Sequence, residues 1–509
     1  MRGYLGIDNG TQGLSVIFCD EETMAVVATG ESSYDMVADL HEGFYEQLTS
    51  DWDKALGAAM KQIHEKIQNI EVLGIGISGQ MHGEVLVDKN GKSLGSVRLW
   101  CDSRNDEEGT ELTQLFGTKV PKRSTCARFL WTIRNRREIA VKTHHITTPA
   151  GWIHYRITGK WILGIGDASG MFPVDQSTLD YDNQKLQAFD ALVKKESNEI
   201  LPLQSILPEI RRSGEAAGCL NDVGAELLGL PAGVPVAAAE GDQPAAMAGS
   251  LIAEAGMTSM SFGTSVVANA VGDRPFQGVH AGVDQFCAAD GKPINMIWIR
   301  NGTTFINTIV KMYANILGEG VNGFDQVMPK LIQAEPDCGG LLALPFMDDE
   351  PGLSIKQGGT ALVVGLTTKN ATAGNLAKAA LLSSMFNLKL GTGVLDQQGY
   401  PRSEIILSGG LAKTAACGQI LSDVFNCPVT LLDSGEEGSA WGAALLGKYR
   451  HTCVKGNTVT WESFVRAVGV EERTRFEPNL QAVLQYEKMF ERYKKLIALN
   501  SALYEAISS

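Results

Sequence analysis

Two stretches, one in each half of the chain, use the same device: an apolar strand, a Gly-Thr turn and an apolar return. The first runs from Gly6 to Val16 (GIDNGTQGLSV) and the second from Ser261 to Val267 (SFGTSVV). A repeated strand–turn–strand unit implies two halves of like architecture. Length agrees, because 509 residues are too many for one core and roughly two to four domains are expected. The boundary is expected near Ser250 to Ala255, dividing the chain into 1–253 and 254–509.

Both halves alternate strands with helices. Strands are expected over Tyr4 to Ile7, Leu14 to Phe18, Met24 to Ala28, Val72 to Ser78, Leu94 to Trp100 and Val234 to Ala239, with a helix starting at Asp242. In the second half, Ile405 to Leu407 is strand-like, and Lys378 to Leu390 and Cys417 to Phe425 have helical spacing. Asn479 to Ile507 places Leu480, Val483, Leu484, Tyr486, Met489, Phe490 and Tyr493 at helical spacing, and its mixed charges favour a packed terminal helix over a membrane-surface one. The class is α/β, with sheets covered by helices.

Charge narrows the partners. Lys+Arg 44 against Asp+Glu 58 leaves −14, which opposes general binding to nucleic-acid backbones. A phosphorylated small molecule stays open, because backbone N–H groups bind phosphate without a basic patch. The 9 cysteines are scattered without a Cys-x-x-Cys pair, so reduced thiols are expected. The start MRGYLGID has no apolar signal core and no long apolar run follows, so a soluble, cytoplasmic protein away from membranes is the expectation.

Two motifs mislead. Gly74-Ile75-Gly76-Ile77-Ser78-Gly79 fits the dinucleotide pattern, but its glycines interleave with isoleucines inside a strand, where glycine reports close packing. Gly442 to Lys448 (GAALLGK) approaches a nucleotide-phosphate loop, yet Tyr449 stands where a metal-binding hydroxyl belongs and no strand leads in.

Chemistry concentrates elsewhere. Asp8 ends a strand beside Asn9-Gly10-Thr11-Gln12, a turn that can either cap a hairpin or cradle phosphate while Asp8 holds hydrated Mg²⁺. Gly263 and Thr264 repeat the turn, and Gly409-Gly410, followed by Lys413, let a flat ligand or phosphate lie against backbone. Asp242 sits at a helix start with Pro244 in the first turn. It reads either as an N-cap or as a carboxylate, kept ionised by the helix dipole, that takes a proton from an attacking hydroxyl. Gln80-Met81-His82 after a strand offers an amide, an apolar wall and an imidazole suited to a polyol, and Asp102 with Arg104 reads equally as a salt bridge.

Taken together, from about Gly3 to about Gly447, these residues resemble the FGGY carbohydrate kinases. The resemblance implies a two-domain actin/hexokinase-type (ribonuclease H-like) ATPase fold with an interdomain cleft, ATP and Mg²⁺ as cofactors, and a small sugar as substrate. It implies Asp242 as catalytic base and, with Asp8, as metal ligand. It places Thr11, Gln12, Gly263 and Thr264 at the phosphates, and Gly409, Gly410 and Lys413 at the adenosine side. Gln80, Met81, His82 and Asp102, with Asp242 and Gln243, would line the sugar. Gln80-Met81-His82-Gly83 and Asp167-Ala168-Ser169-Gly170 look most like the xylulokinase branch, the first shared with sedoheptulokinases. Departures from that branch are Arg128 for a usual Lys, Gln243 for a frequent Asn, Met347 to Pro351, and the extra charge of Glu84. The expected reaction is ATP-dependent phosphorylation of a terminal hydroxyl of a ketose, D-xylulose first. Sedoheptulose, ribulose, L-xylulose or another polyol are alternatives, as is a non-catalytic sugar- and ATP-binding protein. A homodimer is one expectation for assembly.

Overall fold

In the computed structural model, which describes residues 1–318, 320–431, 438–468 and 474–508, the chain forms two large sheets on either side of a cleft, besides five two-stranded ones. The first sheet holds β1 (Arg2–Asn9), β2 (Gly13–Asp20), β3 (Val26–Ser33), β4 (Glu71–Gly79) and β5 (Glu240–Gly241) in the order β5-β4-β1-β2-β3. β1, β2 and β3 form an antiparallel meander, while β4 and β5 run parallel to β1. Helices α1 (Thr49–Lys66) and α2 (Pro149–Thr158) cover one face, and α3 (Asp242–Gly249) leaves directly from β5.

The second sheet repeats the plan. β6 (Met257–Phe262), β7 (Val266–Val271), β8 (Val283–Cys287) and β9 (Pro293–Ile299) are antiparallel. Then β10 (Glu404–Gly409) and β11 (Val429–Leu431) extend the sheet parallel to β6, with β12 (Arg475–Phe476) at the edge. Its order is β8-β9-β7-β6-β10-β11-β12. The repeated Gly-Thr device therefore occupies the β1–β2 hairpin in one sheet and the β6–β7 hairpin in the other. The helix Ala373–Gln397 packs on this sheet, burying Leu381, Leu382, Met385 and Phe386, and helix α4 (Thr304–Leu317) packs against that helix.

Position 253, the expected division, lies in the turn between α3 and β6, but one element crosses back over it. Helix α5 (Gly438–Val454), late in the chain, lies on the free face of the first sheet, against β1, β4 and α3. Period-2 alternation explains how. Leu5, Ile7, Ile75 and Ile77 point into the first core with Trp52 and Met60, while Gly6, Gly74 and Gly76 face α5. A Cβ on Gly6 or Gly76 would overlap the carbonyl oxygen of Ala440 or Ala443, and one on Gly442 would overlap that of Ala245. Both misleading motifs are thus two surfaces of one helix-on-sheet contact.

Several expected elements take other forms. Leu94 to Trp100 yields only a two-residue strand, Val97–Arg98, because its partner Glu46–Gln47 is equally short. Val234 to Ala239 runs beside β4 through a single bridge, Ile75 with Val236, where Pro235 interrupts the ladder. Met24 belongs to a turn at φ 57°, and the strand begins at Val26. The terminal segment is two helices, Leu480–Ile497 and Asn500–Ser508. No helix among the described residues is long and apolar enough to cross a membrane.

The contact of α5 with the first sheet gives a direct test. Gly76→Val forces a branched side chain into a helix backbone, and its urea midpoint should fall by the equivalent of about 3 kcal/mol or more. An unchanged midpoint would mean that α5 does not seat on β4.

Candidate active site

β1, β4 and β5 are parallel, so their C-terminal ends meet along one edge, the usual place for a ligand in an open α/β sheet. Asp8, the run Gln80 to His82, and Asp242 all lie there. Beside them a cleft of about 1270 Å³ opens between the halves. Met81, His82, Asp102, Arg123, Asp242 and Gln243 line it from the first half, and Ser265 and Asp284 from the second.

Carboxylates crowd this edge. Asp8 Oδ2 accepts a hydrogen bond from Ser439 of α5 at 2.7 Å, while Oδ1 is buried without a partner. Burial raises its pKa against the pull of the Ser439 and Ser78 hydroxyls. Asp242 is the first residue of α3, and Gly241, not Asp242, is the N-cap. Its Oδ1 accepts the Gln243 N–H at 2.8 Å. The expectation that the helix dipole keeps Asp242 fully ionised is corrected: burial, followed by the charge of Asp8, pushes its pKa up to about 7. Behind it, Asp167 Oδ2 is 2.5 Å from Thr148 Oγ1, and burial pushes its pKa up to about 8. Glu240, equally buried, accepts the Asp167 N–H at 3.0 Å, and its pKa is raised well above the usual carboxylate range, by burial first and by Asp167 second.

The sugar-side residues divide. Met81 and His82 face the cleft. His82 has φ 68°, and its Nδ1 lies 2.9 Å from the Gly170 carbonyl. Gln80 turns away: it is buried, takes a hydrogen bond from Thr11 Oγ1 at 3.1 Å and donates to Gln47 at 2.9 Å, so it braces the first turn and does not line the cavity. Asp102 reaches the wall, but its carboxylate is engaged by Arg104 at 2.5 Å and by the Tyr45 N–H at 3.0 Å. Burial would raise its pKa, yet these partners hold it below the usual range. The salt-bridge alternative is the arrangement present, as a buried pair. Gln243 accepts from Asn269 of the second half at 3.0 Å.

The phosphate-side residues form two groups. Thr11 is held by Gln80, by Trp100 Nε1 at 3.1 Å and, through its carbonyl, by Gln47 at 2.7 Å, with Gln12 exposed beside it. In the second half, pairing of Phe262 with Gly409 sets Gly263 and Thr264 beside Gly409 and Gly410, all exposed, with Lys413 exposed one turn on. Thr303 was not foreseen: its N–H and hydroxyl both reach the Gly263 carbonyl at 2.8 Å, and Gly302 N–H reaches that of Thr264 at 2.9 Å. Their signal, another Gly-Thr pair before a helix, stands in the sequence.

The departures from the branch pattern find places. Glu84, buried, pairs with Arg98 at 2.7 Å and with Thr132, so its charge is spent inside the first half. Arg128, also buried, donates to the Leu99 carbonyl at 2.5 Å and to that of Arg123, and burial and Arg98 depress its pKa to about 9. Glu350 accepts the N–H groups of Arg300 and Asn301 at 2.9 and 2.8 Å, holding the approach to Thr303.

The pattern of the FGGY family of carbohydrate kinases, N-terminal domain, matches residues 3–249, and that of its C-terminal domain matches 258–451. The xylulose kinase of Haemophilus influenzae is 28% identical over 515 residues, covering 96% of this chain and 98% of its own. Among solved structures, xylulose kinase from Rhodospirillum rubrum superposes with TM-score 0.82 at 19% identity, covering 99% of this chain and 100% of its own. A xyloylose kinase from Brucella ovis superposes at 0.80 and 24%, covering 98% and 99%.

The placement of Glu84 is open to test. Glu84→Gln leaves Arg98 buried without its counter-charge and should cost about 3 kcal/mol in urea unfolding. Stability equal to the parent would contradict the buried pair.

Proposed function

The chain belongs to the FGGY family of carbohydrate kinases, and from that premise we propose that it transfers the γ-phosphoryl group of ATP to the terminal hydroxyl of D-xylulose. The observation that carries the reading is Asp242, a half-buried carboxylate with a pKa near 7 on the cleft floor beside Met81 and His82. The names of the relatives favour xylulose over the other ketoses. The cytoplasm is the compartment proposed, in keeping with the scattered thiols.

In this reading Asp242 accepts the proton of the sugar hydroxyl as its oxygen bonds to the γ-phosphorus and the bond to the β-phosphate bridging oxygen breaks, releasing ADP. Met81 and His82 hold the sugar, with Asp102 and Gln243 at its margins. Thr11 and Gln12 from one half, and Gly263 and Thr264 from the other, orient the phosphates. Gly409, Gly410 and Lys413 receive the adenosine end. Asp8 and Asp242 are the residues that would hold Mg²⁺. The orphaned Asp8 Oδ1 fits that role, and no group of three or more His, Cys, Asp or Glu side chains among the described residues supplies a closed cage. Such a cation takes most of its ligands from water and phosphate and neutralises phosphoryl charge when bound.

Two outcomes follow. A base must be unprotonated to act, and a pKa raised to about 7 means that kcat/KM falls as pH drops through about 7. Asp242→Asn should lower kcat by roughly 10²–10⁴-fold while calorimetry still detects sugar and ATP. A flat profile down to pH 5.5, or a near-normal variant, would remove Asp242 from the chemistry. Coupled ADP release should respond most strongly to D-xylulose among sedoheptulose, D- and L-ribulose, L-xylulose, glycerol and gluconate. A stronger response to another acceptor would reassign the substrate.

A further inference from the structure

We propose that Arg123 is a positioning residue through which the second half of the protein sets the orientation of His82, an inference that rests on the sugar-kinase reading above. Arg123 lies between the helices Asp106–Phe116 and Thr125–Asn135, on the rim of the cleft. Its Nε donates to His82 Nε2 at 3.3 Å, and its terminal nitrogen pairs with Asp284 Oδ2 on edge strand β8 of the second sheet. Lys119 reaches the other Asp284 oxygen at 2.6 Å. His82, Arg123 and Asp284 thus form one line from the sugar wall across to the opposite half, and Lys119 of the first half closes on its far end.

Donor chemistry fixes the imidazole. A guanidinium carries only donors, so His82 Nε2 must accept, and the ring proton sits on Nδ1, aimed at the Gly170 carbonyl. The ring also needs this grip, because φ 68° is costly for a residue with a side chain and persists only where its surroundings over-determine it. Gly170 makes the space: a Cβ there would come within 2.9 Å of the ring. Both ring nitrogens of His82 are therefore engaged by the protein, and Arg123 sets where the imidazole stands on the sugar wall. Arg123 in turn is held by a carboxylate of the second sheet.

The consequence is that sugar affinity depends on an ion pair that crosses from the sugar's own half to the other. Arg123→Gln and Asp284→Asn should each raise the sugar KM about tenfold, as coupled neighbours do, with ATP KM within about twofold. The double variant should be no worse than either single one. Long-range ¹H–¹⁵N correlation on the folded protein should show His82 as the Nδ1–H tautomer, with its Nε2 signal moving toward that of an unbonded ring nitrogen in Arg123→Gln. An unmoved sugar KM together with an unmoved Nε2 signal in both single variants would overturn the proposal, as would strictly additive effects. If the parent phosphorylates none of the sugars, the kinase reading falls. The Nε2 measurement, which needs no turnover, then decides the role of Arg123 alone.

Discussion

The backbone of α5 lies so close to β1 and β4 that nothing larger than a hydrogen fits between them. Gly6 and Gly76 on the sheet and Gly447 on the helix make that approach possible, while Gly442 lets α5 close on α3. On the opposite face the same strands carry Leu5, Ile7, Ile75 and Ile77 into a conventional side-chain core. The sheet is therefore clamped between a soft, interdigitated layer and a hard backbone contact. Because α5 lies between β11 and β12 of the second sheet in the chain, the contact also fixes where the second half stands. It brings Ser439 to Asp8, so the carboxylate at the end of β1 is oriented by a residue from the far end of the sequence.

Electrostatics at this edge follow from the same compactness. Asp8, Asp167, Glu240 and Asp242 come from different elements, yet their charges act on one another with little water between. Burial dominates in each, and the pKa values rise together. The gradient has a direction: Glu240 and Asp167, deepest, are the most reluctant to ionise, while Asp242 at the cleft titrates near neutrality. A carboxylate in that position is a better proton acceptor than one held near its solution value, since its proton affinity matches the working pH. The arrangement costs stability that the surrounding N–H and hydroxyl donors offset only in part.

Much of this was legible because it is local. The Gly-Thr hairpins, the glycine–isoleucine alternation of β4 and the carboxylate opening α3 are short-range patterns with single physical meanings. Burial without a ladder defeated the same reasoning at Leu94 to Trp100, whose partner Glu46–Gln47 is only two residues long, and at Val234 to Ala239, which meets β4 at a single bridge. What stayed hidden was nonlocal. Arg123 and Asp284, or Ser439 and Asp8, carry no mark of one another along the chain, and the inward turn of Gln80 depends on Gln47 and Thr11. Asp102 shows the limit most clearly, since an acidic residue beside an arginine reads the same whether it awaits a ligand or already has a partner.

The position of α5 also bears on how the protein is made. Synthesis proceeds from the N-terminus, and domains generally fold as they emerge. Here the first half cannot finish when residue 253 leaves the ribosome, because the face of its sheet that carries Gly6, Gly74 and Gly76 beside Tyr4, Ile17 and Leu73 stays uncovered until residues 438–454 arrive. While the intervening residues are made, that open face offers backbone and apolar side chains to other segments. The nascent chain thus carries an incomplete first half until residue 454 is added, and a chaperone that shields it would act on the interval between those two points.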